Sequence, residues 1–421
     1  MNEFDVIVVG GGPGGSTAAS FIGKAGKKVL LLEKAKFPRD KTCGDAISGK
    51  SLSVLRELGL DKVVEANPHG LVTGVLFSSP KGDVVEIPFG TSHKQIRNGY
   101  CSRRMVYDNI LFQNSKKFAT VKENFMVTEV IVENGFVVGV KGINNETKQP
   151  EEYRAKIVIG GDGATSVVAN KMGLSTLPDE HWCLAVRAYY DGITGMTGNI
   201  ELHFIPEILP GYFWIFPMEN GLANVGVGMV KTDMAKHKIN LKEAMLNAIE
   251  SSPLFKERFA NAKIVDPVTG KEGSASDVKG WNLPFGSFHR KNHGNGFMLV
   301  GDAASLIDPF TGEGIGNAML SGKTAGEHAV EALKAGDYSE KFLSEYDKKL
   351  WSIIAGELNT SYQMQKLGRN TFLLNLIVAK AARNPEIRDF IAGTLINEEA
   401  KKEFFSPLFY IKLLVARPWL P

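Results

Sequence analysis

Three glycines, Gly10, Gly12 and Gly15, follow the apolar run FDVIVV at 4–9 and open a stretch of small residues. A strand that turns into a helix through G-x-G-x-x-G leaves free N–H groups beside a backbone without side chains, and such a corner receives a pyrophosphate. The first glycine permits the tight turn, the second lets the phosphate approach, and the third lets helix and strand pack closely. Pro13 and Gly14 complete the corner. Glu33, eighteen residues beyond Gly15 at the end of the next apolar run, can accept hydrogen bonds from an adenosine ribose, with Lys34 beside it. Alone, the glycines would suit any tight strand-to-helix turn; with the flanking pattern and the acid in register they predict dinucleotide binding.

A second glycine-rich corner lies far downstream. The stretch GFMLVGDAASLIDPFTGEGIGNAM at 296–319 places Asp302 at the end of another buried strand, then Gly312, Gly314, Ile315 and Gly316 at the opening of a helix. A carboxylate there can hold a ribityl hydroxyl, and helix-start N–H groups can stabilise negative charge on a reduced flavin ring. The two corners together favour FAD. Between them, alternation in YFWIFP at 212–217 puts Tyr212, Trp214 and Phe216 on one face of a strand. Three rings on one face either wall a long apolar tunnel or form ordinary sheet core. Cys43, with Gly44 after it and Lys41 before it, is either a small buried residue or part of a loop near the reacting ring.

The elements that must carry these residues alternate in type. Residues 4–9 and 27–34 read as buried parallel strands around a helix at 16–25, a βαβ unit. Helices are expected at 51–60, 103–118 and 314–335, and a hairpin at 125–142 around an Asn-Gly turn. A strand ending in glycines is expected at 156–166, and short antiparallel strands at 71–89 and, within 181–284, at HWCLAVRAYY, NIELHFI and YFWIFP. The order predicts an α/β fold with a Rossmann-like domain formed by 1–70, 99–180 and 285–340. An antiparallel-sheet substrate domain is inserted at 71–98 and 181–284, and a helical C-terminal region covers 341–421.

Length and composition bound the function. A chain of 421 residues exceeds one small domain, which fits the insertion pattern. Its net charge of +3, with no long basic run, gives no reason to expect nucleic acid. Three scattered cysteines form neither a zinc set nor a full disulfide framework, so a reducing, cytoplasmic setting is expected. No signal-peptide pattern opens the chain and no apolar run is long enough to span a bilayer, which leaves peripheral membrane contact open.

The residues also carry a family resemblance. GDAAS-x-x-DPFTGEGIGNAM looks like the second FAD motif of flavoproteins of the para-hydroxybenzoate-hydroxylase type, and GGDGAT at 160–165 resembles their central Asp-Gly motif, at Asp162 and Gly163. Alone, Asp162 would read as an Asx turn. Arg104 matches the arginine that begins a helix in that family and contacts the cofactor, though Arg103 stands next to it. Within the superfamily, FPRDKTCGDAISG at 37–49 is similar to the P-x-x-K-x-C-G segment of the geranylgeranyl reductase family, which implies that Cys43 lies near the isoalloxazine ring. PGYFWIFPMENGLANVGVG at 210–228 matches that family's Y-x-W-x-F-P and G-x-G pattern at Tyr212, Trp214, Phe216, Pro217, Gly226 and Gly228, which implies prenyl-chain binding there.

The resemblance implies an FAD-dependent reductase that adds hydride and proton across an alkene of a prenyl chain carried on a lipid or a diphosphate. With one G-x-G-x-x-G in the chain, NADPH would bind transiently, and a ferredoxin-type donor is equally compatible. The competing reading is a monooxygenase or halogenase of the same fold. Halogenases carry W-x-W-x-I-P in the corresponding strand, and Tyr212 and Phe216 depart from it. A third reading is a non-catalytic FAD protein anchored at a membrane by 404–421, a segment expected instead to pack on the body.

Overall fold

The computed structural model describes residues 3–89, 99–396 and 406. Five parallel strands form the middle of the first sheet, in the order Phe297–Leu299, Pro150–Gly160, Glu3–Val9, Val29–Leu32 and Thr120–Lys122. Residues 6–9, 29–32 and 157–159 read as unbroken apolar runs because helices cover them: Ala18, Ile22, Phe112, Ala325 and Leu343 share one core with Val6, Ile7, Leu30 and Ile157. The Phe125–Glu133 and Phe136–Asn144 hairpin extends this sheet antiparallel to Pro150–Gly160, and its turn residues Asn134 and Gly135 both have positive φ, as an Asn-Gly turn requires.

The second sheet is antiparallel apart from one parallel pair, Gly74–Ser78 with Asn199–His203. Its central strands Trp182–Asp191, Ala223–Val230 and Tyr212–Pro217 lie side by side. Alternation divides their side chains between two environments. Phe213, Ile215, Val225 and Val227 pack under Met245, Phe255 and Phe259, while Trp214 and Phe216 join a separate cluster on the other face.

Three expectations shift. The helices Lys231–His237 and Leu241–Ser251 lie within 181–284, a region in which only strands are expected, at HWCLAVRAYY, NIELHFI and YFWIFP. Asn240 starts the second helix by accepting the N–H groups of Lys242 and Glu243, a signal that propensity alone overlooks. The strand expected at 156–166 runs instead from Pro150 to Gly160, and Asp302 sits in a 3₁₀ turn beyond the short strand Phe297–Leu299.

The C-terminal helices do not stand apart. Glu340–Leu367 gives Leu343, Tyr346, Leu350 and Leu358 to the core of the first sheet. Thr371–Arg383 and Pro385–Ile396 place Ile377, Val378 and Ile387 against Val75, Phe77, Val85 and Ile87 of the second. Of the 404–421 segment, all but Ser406 lies outside the described residues.

Candidate active site

The N-terminal corner forms as its glycines require. Gly10 has φ +97°, and a Cβ there would run into the Gly161 carbonyl, because the 160–163 turn closes on it. At Gly12 a Cβ would meet only Arg39, 3.7 Å away, so its open side faces a cavity of about 1090 Å³. Pro13 is the first residue of the helix that follows, Gly14 lies against the helix Ile315–Ala335, and Gly15 packs on the Gly10 carbonyl. Glu33 is buried, and its two carboxylate oxygens accept the N–H groups of Gly11 at 2.7 Å and Ala35 at 2.9 Å. A carboxylate has about four acceptor sites, so both oxygens keep capacity for a ribose. Lys34 lines the same end of the cavity.

The downstream corner meets the cavity from the other side. Asp302, Gly312, Gly314 and Ile315 all line it, and Gly312 has φ +72°. The loop is held by Asp308, whose Oδ1 accepts the Phe310 and Thr311 N–H groups at 2.9 and 2.8 Å. Asp162 is held by its own turn. Its carboxylate accepts the Ser166 hydroxyl at 2.5 Å and the Val167 N–H at 2.7 Å, so it serves the start of the helix Val167–Lys171, and Gly161, Asp162 and Gly163 all line the cavity. Burial raises its pKa against those two hydrogen bonds.

The two arginines part in the structure. Arg103 turns to Glu219, 2.5 Å away, whereas Arg104 is buried, lines the cavity and forks onto Asp108 at 2.6 and 2.8 Å. Burial would lower the Arg104 pKa, but Asp108 and the Cys43 sulfur hold it well above its ordinary value. Arg39 adds a second cation at 2.9 Å from Asp108, and the two arginines keep that carboxyl below its usual range despite burial.

Between the corners lie the cysteine loop and the aromatic strand. Tyr212, Trp214 and Phe216 line the cavity, together with Val75, Phe77 and Ile200. The strand opposite explains how they fit. Tyr212 faces Gly228, Trp214 faces Gly226 and Phe216 faces Asn224, and a Cβ at Gly226 would collide with the Trp214 ring. Gly226, Gly228 and Pro217, expected to bind substrate, are not among the cavity-lining residues; the two glycines give the rings room.

Asn224, Asp45 and Tyr189 escaped the sequence reading. Asn224 accepts the Trp214 indole N–H at 2.9 Å and donates both to the Cys43 carbonyl at 2.7 Å and to Asp45 at 2.9 Å. Tyr189 donates to Asp45 at 2.5 Å. The available signals were a polar residue alternating inward in ANVGVG and an acid directly after Cys-Gly. Gly44 lies flat on the Phe216 ring, where a Cβ would come within 3.0 Å. Lys41 lines the cavity 3.7 Å from Asp302 and 4.8 Å over the Trp281 ring; burial lowers its pKa and Asp302 opposes that.

These residues fit FAD. One end offers a side-chain-free cradle with an acid, the other a second glycine loop with an acid, and an apolar chamber adjoins both. When bound, FAD supplies hydride chemistry; the protein supplies position, charge and exclusion of water.

The comparisons agree with this geometry. The FAD binding domain family model matches residues 3–354. A digeranylgeranylglycerophospholipid reductase of Methanosarcina acetivorans is 34% identical over 379 residues, 88% of this chain and 85% of its own length. A solved geranylgeranyl bacteriochlorophyll reductase-like protein of Thermoplasma acidophilum superposes with a TM-score of 0.80 at 26% identity, covering 96% of this chain and 99% of that one. A flavin-dependent brominase gives a TM-score of 0.75 at 22% identity over 98% and 99% of the two chains, a likeness of fold alone. With the cradle, the cysteine loop and the aromatic strand converging on one cavity, the chain belongs to the geranylgeranyl reductase family of FAD-dependent oxidoreductases.

Proposed function

We propose that this enzyme saturates C=C bonds in geranylgeranyl-type chains of a glycerophospholipid. The observation that carries the reading is one continuous cavity that joins two glycine corners suited to FAD with an apolar chamber walled by Tyr212, Trp214 and Phe216. An isolated alkene offers little to polarise, so chain shape against these walls sets selectivity, and each methylene adds only about 1–3 kcal/mol. In this reading residues 1–70, 99–180 and 285–340 hold the cofactor, while 71–98 and 181–284 receive the chain. Gly10, Gly12, Pro13, Gly14, Gly15, Glu33, Lys34, Gly44, Arg104, Asp162, Gly163, Asp302, Gly312, Gly314 and Ile315 are the cofactor contacts, and Cys43 lies at the reacting end.

The electron donor in this reading is NADPH or a ferredoxin-type protein, and the setting is cytoplasmic with peripheral contact to the membrane that holds the lipid. Among the described residues no helix is long and apolar enough to cross a membrane. Phe372, 74% exposed at the start of Thr371–Arg383, lies on a helix that packs against the strands of the chamber and suits such a contact.

The test is anaerobic reduction of the bound FAD, addition of geranylgeranylated glycerophospholipid or geranylgeranyl diphosphate, and mass analysis of the product as the flavin reoxidises. Gain of two mass units per reoxidation with the phospholipid is expected. Reoxidation by oxygen alone, with hydroxylated or halogenated product, would sink the reading in favour of a monooxygenase or halogenase.

A further inference from the structure

We propose that Phe77 is the stop that sets how long an apolar chain the chamber takes, with the helices Thr371–Arg383 and Pro385–Ile396 as its backing; this rests on the reductase reading above. Strand register shows where the chamber ends. One row of directly paired residues crosses the second sheet, in the order Lys279, Arg187, Gly226, Trp214, Leu202, Phe77 and Val85. Residues paired directly across strands share a face, so the whole row lies on one side of the sheet. From Lys279 to Phe77 every member with a side chain lines the cavity, and Gly226 leaves room for the Trp214 ring.

The row changes character along its length. At one end Arg187 and Lys279 face each other across two strands, and Arg187 pairs with Asp40 at 2.6 Å. An apolar tail laid over those cations would strip their hydration without replacing it, so the tail belongs at the other end. There Leu202 and Phe77 are joined by the neighbouring pair Ile200 and Val75, all four apolar and all lining the cavity. Phe77 is 8% and Val75 5% exposed, surface that a tail in the chamber can touch. At about 4.8 Å per strand, Phe77 stands about 10 Å beyond Trp214.

Past Phe77 the row leaves the cavity. Val85 and Ile87, the partners of Phe77 and Val75 on the edge strand Val84–Pro88, do not line it; they pack with Ile377, Val378 and Ile387 of the two C-terminal helices. Polar ties hold the first of those helices to the turn that joins the two strands. Asn375 Oδ1 accepts the Lys81 N–H at 3.0 Å, and Arg383 pairs with Asp83 at 2.9 Å. A tail that reaches Phe77 therefore meets a backed wall, and a longer one must fold back or pull the chain's head out of place.

The test is calorimetric titration of the FAD-loaded, oxidised enzyme with geraniol, farnesol, geranylgeraniol and geranylfarnesol in one detergent. Affinity should rise about tenfold or more with each isoprene unit and then break, levelling or falling at one length. Phe77→Leu should move the break to the next longer alcohol, and Val75→Phe to the next shorter. Phe255→Leu serves as the control for a loosened sheet, because Phe255 stacks on Phe213 at 4.4 Å on the opposite face; it should leave the break in place. Anaerobic turnover of the same alcohols should show the same order in KM. No binding, no break in the wild type, a break unmoved in both chamber variants, or one moved equally by Phe255→Leu would overturn the stop. If the break moves as stated but no alcohol or phospholipid is reduced, the reductase reading fails and the stop stands.

Discussion

Cys43 and Asp45 stand two residues apart in one loop but answer to different neighbours. The Cys43 sulfur faces the Arg104 guanidinium, whereas Asp45 is gripped by Tyr189 and Asn224. Replacing Cys43 by Ser should leave FAD bound and slow alkene reduction at least about tenfold, measured by anaerobic reoxidation; unchanged turnover would return the thiol to a packing role. Asp45 also predicts a pH effect on stability. Its ordinary pKa is 3.8 and its folded value about 6, so between them the folded protein keeps a proton that the unfolded chain has released. That contribution is full below about pH 4 and lost as pH rises through 6, roughly 3 kcal/mol in all. Denaturant unfolding of wild type and Asp45→Asn should diverge by about that much between about pH 4 and about pH 7; a constant difference would contradict it. The sequence revealed Cys43 through its motif, but Asp45 stayed hidden, because Tyr189 and Asn224 lie 144 and 179 residues away in the chain.

At the scale of elements, two glycine-rich helices share the work of the cofactor corners. Pro13–Lys24 and Ile315–Ala335 approach so closely that a Cβ at Gly322 would collide with the Gly14 carbonyl. Gly322→Val should therefore push both helix N-termini out of place, cost about 1–3 kcal/mol of stability and weaken FAD binding, read by urea unfolding and flavin titration. The Tyr212–Pro217 strand is tied to the downstream loop by the Tyr212 hydroxyl, which donates to the Thr311 carbonyl at 2.8 Å. Tyr212→Phe should cost only about 0.5–1.5 kcal/mol and change chain-length preference more than FAD affinity, checked by product analysis on a series of prenyl lengths. Most of these elements were legible from period and punctuation. The helices at 231–251 were not, because their apolar face packs under a sheet whose own strands dominate the local composition.

For the whole molecule, the cavity lies where the first sheet's glycine corners meet the second sheet's aromatic face, with C-terminal helices packed against strands of that chamber. A ligand that touches both sheets stabilises their union. Free FAD at about 100 times its dissociation constant should raise unfolding free energy by about 2.7 kcal/mol, and thermal midpoints should climb with FAD concentration; a midpoint independent of FAD would argue against a shared site.

By itself the sequence determined the cofactor corners, since glycine spacing, buried-strand runs and a terminal acid are local requirements written in contiguous residues. It also marked the aromatic strand, because period two is a property of the backbone. Only the tertiary structure decided which side of that strand faces a cavity, that Gly226 and Gly228 make room for the rings, that Arg104 and not Arg103 reaches the site, and that Asp45 is buried beside Tyr189 and Asn224. Those outcomes depend on pairings between distant segments, and burial, charge and strain at such meeting points exist only once the chain has folded.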